Sequence, residues 1–95
     1  MINKMVVKEL EVKTKERDML TIGEEKYNGL QFVHFSEGSK IKVIYTKTFL
    51  KDGTTRKYLD IMVNGVSISY AGVNTFEFSK SKPILKEEKT LYNKN

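Results

Sequence analysis

The segment from Lys40 to Lys57 concentrates the positive charge of the chain. It contains six basic residues and one acidic residue, Asp52, so it accounts for the whole formal net charge of +5. The basic residues are Lys40, Lys42, Lys47, Lys51, Arg56 and Lys57. A local positive stripe on a neutral background is typical of a surface that binds a polyanion. The alternative is a solvated hairpin whose lysines prevent edge-to-edge aggregation.

Aromatic side chains accompany these cations. Tyr58 directly follows Lys57, Tyr27 lies at an Asn-Gly turn signal, and His34 precedes Phe35 in an apolar segment. Single-stranded nucleic acid requires cations that follow its phosphates and flat side chains on which its bases stack. We therefore expect Tyr58, with Tyr27 and His34, to supply the flat surfaces. Core packing is the competing interpretation for each ring.

The sequence offers little for catalysis or metal binding. Cysteine is absent and His34 is the only histidine, which removes thiol chemistry and the common zinc sites. Glu24 and Glu25 are adjacent, so on a strand they point to opposite faces and cannot act as a catalytic pair. No nucleotide-binding or metalloprotease motif is present. We expect a non-catalytic protein without catalytic residues, metal or cofactor.

Turn signals divide the chain into short strands. Asn28-Gly29, Asp52-Gly53 and Asn64-Gly65 are each flanked by β-branched or aromatic residues. A two-residue turn at Asn64-Gly65 sets Val63 opposite Val66, Ile61 opposite Ile68 and Leu59 opposite Tyr70. The pattern predicts an all-β meander.

A three-residue loop at residues 51–53 brings a third strand into the same register. It places Tyr45 opposite Leu59 and Val43 opposite Ile61, and it requires a left-handed Gly53. One face of the three strands is then apolar. The other face carries Lys40, Lys42, Thr46, Thr48, Tyr58, Asp60 and Met62.

The remaining segments complete a small β domain. We expect strands near residues 10–14, 20–27, 30–35 and 76–78, with a short helix over residues 8–20 as an alternative to the first. Five to seven short antiparallel strands hide their edges best in a small OB-like barrel, closed or partly open, with an SH3-like barrel as the alternative and an open sandwich third. This predicts a single β-barrel domain over residues 1–83 and a polar C-terminal tail over 84–95.

The pattern over residues 40–71 resembles small OB-fold single-stranded-DNA-binding proteins of phages and mobile elements. In both, a basic strand enters a Lys/Arg-rich hairpin and an aromatic-bearing strand leaves it. The resemblance implies sequence-tolerant binding of single-stranded DNA, by phosphate neutralisation and base stacking. The residues implied are Lys40, Lys42, Lys47, Lys51, Arg56, Lys57 and Tyr58.

The same residues are compatible with other functions. A small phage or mobile-element inhibitor or adaptor would present the basic hairpin to an acidic protein, or add an edge strand to its sheet. A structural or virion component is a third possibility, and a homodimer is compatible with each. No signal peptide or membrane-spanning run is visible, which predicts a cytoplasmic protein without a membrane partner.

Overall fold

The computed structural model describes residues 2–24 and 29–92, and this part of the chain is built of β-strands. The eight strands are β1 (Ile2–Lys13), β2 (Met19–Glu24), β3 (Leu30–His34), β4 (Lys40–Leu50), β5 (Thr55–Val63), β6 (Val66–Ala71), β7 (Val73–Phe78) and β8 (Ile84–Tyr92). The all-β prediction is confirmed. In the described ranges no helix is long and apolar enough to cross a membrane.

The strands form two antiparallel sheets that pack against each other. The large sheet has the order β6-β5-β4-β1-β8, and the small sheet has the order β3-β2-β7. We call the side of the large sheet that the small sheet covers the inner face, and the opposite side the outer face. The core between the sheets consists of Val12, Leu20, Ile22, Ile41, Val43, Leu59, Ile61, Val73 and Phe78. The described strand pairs join into two open sheets, not into a closed barrel.

The β5–β6 hairpin has the register that its turn predicts. Val63 pairs with Val66, Ile61 with Ile68, and Leu59 with Tyr70. Asn64 and Gly65 have φ angles of 49° and 80°, as a type I′ turn requires. This turn matches the right-handed twist of the strands, so it fixes the register.

The β4–β5 hairpin also agrees with its predicted register. Tyr45 pairs with Leu59 and Val43 with Ile61. The backbone N–H of Leu50 donates to the Thr54 carbonyl at 2.9 Å, and Gly53 has a φ of 89°. The left-handed residue closes a three-residue loop, and both hairpins therefore share one apolar face.

The chain departs from the prediction at its two ends. The tail predicted for residues 84–95 is wrong for residues 84–92, which form β8 and pair with β1. As an edge strand, β8 is exposed on both sides, so its polar composition gave no alternation to detect. The eighth strand also exceeds the expected five to seven. At the other end, residues 2–13 form one long strand, and the alternative helix over residues 8–20 is not present.

A buried aspartate ties the β1–β2 connection to the β7–β8 connection. Asp18 is fully buried and accepts hydrogen bonds from the N–H groups of Lys15, Met19 and Lys80 and from the hydroxyls of Ser79 and Ser81. Burial raises the pKa of its carboxyl, but the hydrogen bonds from Ser81, Lys80, Lys15 and Met19 outweigh that effect and leave the pKa below its usual value. Asp18 is therefore an ionised group that holds two loops together at one end of the sandwich.

Candidate nucleic-acid interface

The structure divides the predicted binding residues between two faces. Successive side chains of a strand point to opposite sides, so cations at even and odd positions of one strand separate. On the outer face lie Lys40, Lys42, Arg56 and Tyr58, whereas Lys47 and Lys57 lie on the inner face, where they pair across β4 and β5. The positive stripe that the sequence suggested is therefore divided between the two faces of the large sheet.

Lys51 and His34 lie outside the strands β4 and β5. Lys51 lies in the β4–β5 turn. His34 is exposed on β3 and pairs with Met19, on the side of the small sheet that faces away from the core. Tyr27 lies outside the described residues. The structure thus does not bring His34 together with the basic hairpin.

On the outer face, carboxylates neutralise most of the lysines. The Lys42 ammonium lies 2.5 Å from the Glu9 carboxylate, and that hydrogen bond and charge raise the pKa of Lys42. Lys86 lies 3.8 Å from Glu11, and Lys89 lies 3.4 Å from Glu87. The alternation of sign leaves this face a weak attractor for a polyanion.

A cavity of about 630 Å³ opens on the same face, between β1, β4, β5 and β8. Its apolar floor includes Met62 and Ile84, and its basic residues are Lys13, Lys40, Lys42, Lys82 and Lys86. No aromatic side chain is among the described residues that line it. The cavity offers cations without a flat surface for a base.

The inner face is covered by the small sheet over only part of its length. The hydroxyl of Tyr45 donates to the Val73 carbonyl at 2.9 Å, and its ring packs 5.3 Å from that of Phe76. Lys57 donates to the side-chain oxygen of Asn74 at 2.8 Å. These contacts mark the margin of the small sheet. Beyond them, toward the β4–β5 turn, the inner face is open.

This open end contains an aromatic ring flanked by two ammonium groups. The Lys4 ammonium lies 4.6 Å from the centre of the Phe49 ring, and that of Lys47 lies 5.4 Å from it. Lys4 pairs with Phe49 on one side and with Tyr92 on the other, and Lys47 pairs with Lys57. Directly paired residues point to the same face of a sheet. We call Lys4, Lys47, Phe49, Lys57 and Tyr92 the open-end patch.

Positive charge predominates at the open-end patch. Neither Lys4 nor Lys47 forms an ion pair with a carboxylate of the described residues. The nearby carboxylate of Glu88 belongs to another pair: Glu88 pairs with Lys8 across β1 and β8, and its carboxylate lies 4.0 Å from the Lys8 ammonium. Tyr92 is 69% exposed, so its ring is available to a base. This end of the molecule combines cations with flat side chains.

Sequence reasoning missed three residues of this patch. Lys4 and Tyr92 come from the two ends of the chain, and only the pairing of β1 with β8 brings them beside Phe49. The position of Phe49 could have been predicted, because it lies two residues after Lys47 on β4 and their side chains therefore point to the same face. Tyr92 was missed because residues 84–95 were predicted to be a tail rather than a strand.

No family model, curated protein or solved structure matches this chain. Within the described ranges, no three histidine, aspartate or glutamate side chains cluster closely enough to hold a metal ion.

Proposed function

We propose that this protein binds single-stranded nucleic acid at the open-end patch, with little sequence preference. The observation that carries the proposal is the Phe49 ring, which lies within 5.4 Å of the ammonium groups of both Lys4 and Lys47 and in one register row with the exposed ring of Tyr92. Aromatic rings accept any base by stacking, and lysines accept any phosphate. The arrangement contacts the faces of the bases and the phosphates, which every strand shares, and does not contact the base edges that distinguish one sequence from another.

The spacing of the two rings suits adjacent or nearly adjacent bases. Tyr92 and Phe49 lie two strands apart, with Lys4 on the strand between them. Neighbouring strands are about 4.8 Å apart, so the two rings lie roughly 10 Å apart. Lys4 is then placed to contact the phosphate between two stacked nucleotides.

The cation–π contacts compete with binding only weakly. An ammonium over an exposed ring is worth about 0.5–1 kcal/mol. A base stacked on an aromatic side chain contributes about 1–3 kcal/mol, and each neutralised phosphate also releases counterions. Movement of Lys4 from the ring to a phosphate is therefore favourable, and it uncovers the ring for the base.

The finer predictions of fold and family remain predictions. An OB-like or SH3-like barrel would hold a strand on one concave face, whereas the proposal requires only an uncovered part of the inner face. We also propose that the strand is DNA, as the resemblance to the DNA-binding proteins of phages and mobile elements implies. A cytoplasmic location is also an expectation.

Fluorescence anisotropy of labelled oligonucleotides tests the proposal. We expect a dT oligonucleotide to bind more tightly than a duplex of equal length, because only unpaired bases can stack on Phe49 and Tyr92. The logarithm of the association constant should fall linearly with the logarithm of the salt concentration, with a slope of about −0.7 for each phosphate contacted. An absence of binding at low salt would overturn the proposal, and so would equal affinity for the duplex.

A further inference from the structure

One edge of the large sheet lacks the charged residues that usually protect such edges. We infer that β6 is the contact strand of a symmetric dimer, in which two copies of the chain join their large sheets edge to edge. β6 (Val66–Ala71) has the sequence VSISYA and contains no charged residue. Val66 is 62% exposed and Ile68 is 43% exposed. An uncharged, apolar edge strand is a template for pairing with another strand.

The opposite edge of the same sheet provides a contrast. β8 carries four consecutive charged residues, Lys86 to Lys89, and a register shift interrupts its pairing with β1. Charges and bulges are the devices by which proteins keep an edge from pairing. The two edges of one sheet thus differ in the feature that permits association.

The free backbone groups of β6 can be assigned from its turn. The two-residue turn at Asn64-Gly65 closes on the pair Val63–Val66, which is hydrogen-bonded in hairpins of this type. Hydrogen-bonded and non-hydrogen-bonded pairs alternate along an antiparallel ladder. The backbone groups of Val66 and Ile68 therefore face β5. Those of Ser67 and Ser69 point to the free edge.

These free groups are complementary to those of a second copy. A two-fold axis at Ile68 sets Ser67 opposite Ser69 of the second copy, and Ser69 opposite its Ser67. Each of these pairs exchanges two backbone hydrogen bonds, which gives four across the contact. Ile68 faces Ile68 at a close, non-hydrogen-bonded position, and Val66 faces Tyr70. A single strand supplies both halves of the contact, as isologous association requires.

The distribution of charge also favours β6 as the place where two copies of the chain meet. Each chain carries a net charge of +5, so two copies repel unless they meet where no lysine is near. No lysine lies on β6 itself. On its outer face Ser69 donates a hydrogen bond to Asp60 of β5, and its inner-face side chains are Val66, Ile68 and Tyr70. The edge strand β3 also lacks Lys, Arg, Asp and Glu, and a cysteine variant on that strand serves as a control below.

Introduced cysteines test this contact, since the chain has none of its own. In the Ile68-centred register the two Ile68 Cα atoms lie about 4.5 Å apart, within the range of a disulfide. The two Ser69 Cα atoms are offset by two residues and lie roughly 8 Å apart, beyond that range. We expect Ile68→Cys to form a disulfide-linked dimer under mild oxidation, and Ser69→Cys to remain monomeric on a non-reducing gel. Faster linkage through Ser69→Cys would overturn the proposed register.

Leu85 provides a matched control on the other edge. It lies in the same register row as Ile68, at the β8 side of the sheet, and is 51% exposed. Leu85→Cys and the β3 variant Phe32→Cys should remain monomeric under the same oxidation. Linkage of either to the extent of Ile68→Cys would overturn the assignment of the contact to β6.

Sedimentation of the unmodified chain gives an independent test. We expect a monomer–dimer equilibrium that Ile68→Lys abolishes and Leu85→Lys leaves unchanged, with circular dichroism showing that both variants are folded. A wild-type protein that is monomeric at every concentration up to about 0.5 mM would overturn the inference. No nucleic acid enters these measurements, so their outcome is independent of the proposed binding function.

Discussion

The Lys4 ammonium lies 4.6 Å from the centre of the Phe49 ring, and it joins the first strand of the chain to the fourth. The contact forms at the end of the inner face that the small sheet leaves open. Lys47 approaches the same ring at 5.4 Å. An aromatic ring with two ammonium groups beside it is a surface on which a base and its phosphates can be bound together.

The ring of Phe49 should be the main stacking surface. We expect Phe49→Leu, which keeps an apolar side chain but removes the flat ring, to weaken binding of a dT oligonucleotide by about 5- to 150-fold, the equivalent of about 1–3 kcal/mol. Fluorescence anisotropy at constant salt measures the change. Tyr58→Leu is the matched control, because Tyr58 is an exposed ring on the outer face. Its affinity should equal that of the wild type, and a loss as large as that of Phe49→Leu would contradict the assignment.

The lysines of the patch should determine the salt dependence of binding. Lys47 and Lys57 face each other across β4 and β5 on the inner face. Replacement of either by glutamine should make the slope of log K against log salt shallower by about 0.7, the contribution of one phosphate contact to a single strand. Lys40→Gln removes the same charge from the outer face. Titrations at four salt concentrations should give that control the wild-type slope, and an equal change in all three variants would indicate a merely general effect of net charge.

The buried carboxylate of Asp18 should make stability depend on acid. Its pKa is lower in the folded protein than in the unfolded chain. The stabilisation is therefore fully present above the usual carboxyl pKa of about 4, and it is lost as the pH falls through the lower folded value. Asp18→Asn should reduce the free energy of unfolding at pH 7 by at least about 2 kcal/mol, because a buried hydrogen-bonded charge is removed.

Urea denaturation between pH 7 and pH 2 measures both effects. The Asp18→Asn variant should lose less stability on acidification than the wild type does. Asp52→Asn is the control, since Asp52 also has a lowered pKa, from its hydrogen bonds with Thr54, but it is exposed in the β4–β5 turn. A loss at pH 7 that is as large for Asp52→Asn as for Asp18→Asn would contradict the structural role of the buried group.

The local parts of this fold could be predicted from the sequence. The turns at Asn64-Gly65 and at residues 51–53 have residue types that fix one conformation, and a period of two then assigns every side chain of β4 to β6 to a face. The pairing of β2 with β7 joins residues some fifty positions apart and has no local signal. For the same reason the division into two sheets could not be predicted.

The candidate site shows the same limit. Lys47 and Lys57 were identified from the charge of their segment, and their position on the inner face follows from parity. Lys4 and Tyr92 reach the patch only through the β1–β8 pairing, and the polar composition of β8 was typical of a tail. An edge strand exposed on both sides can be polar throughout, because neither of its faces is buried.

The most direct test of the central claim compares two triple variants with the same net charge. The first replaces Lys4, Lys47 and Lys57 of the open-end patch with glutamine. The second replaces Lys13, Lys40 and Lys89, which lie on the outer face. In anisotropy titrations with a dT oligonucleotide at low salt, we expect the first variant to lose at least about tenfold in affinity and the second to stay within about threefold of the wild type. An equal loss in the two variants, or a larger loss in the second, would contradict binding at the open end of the inner face.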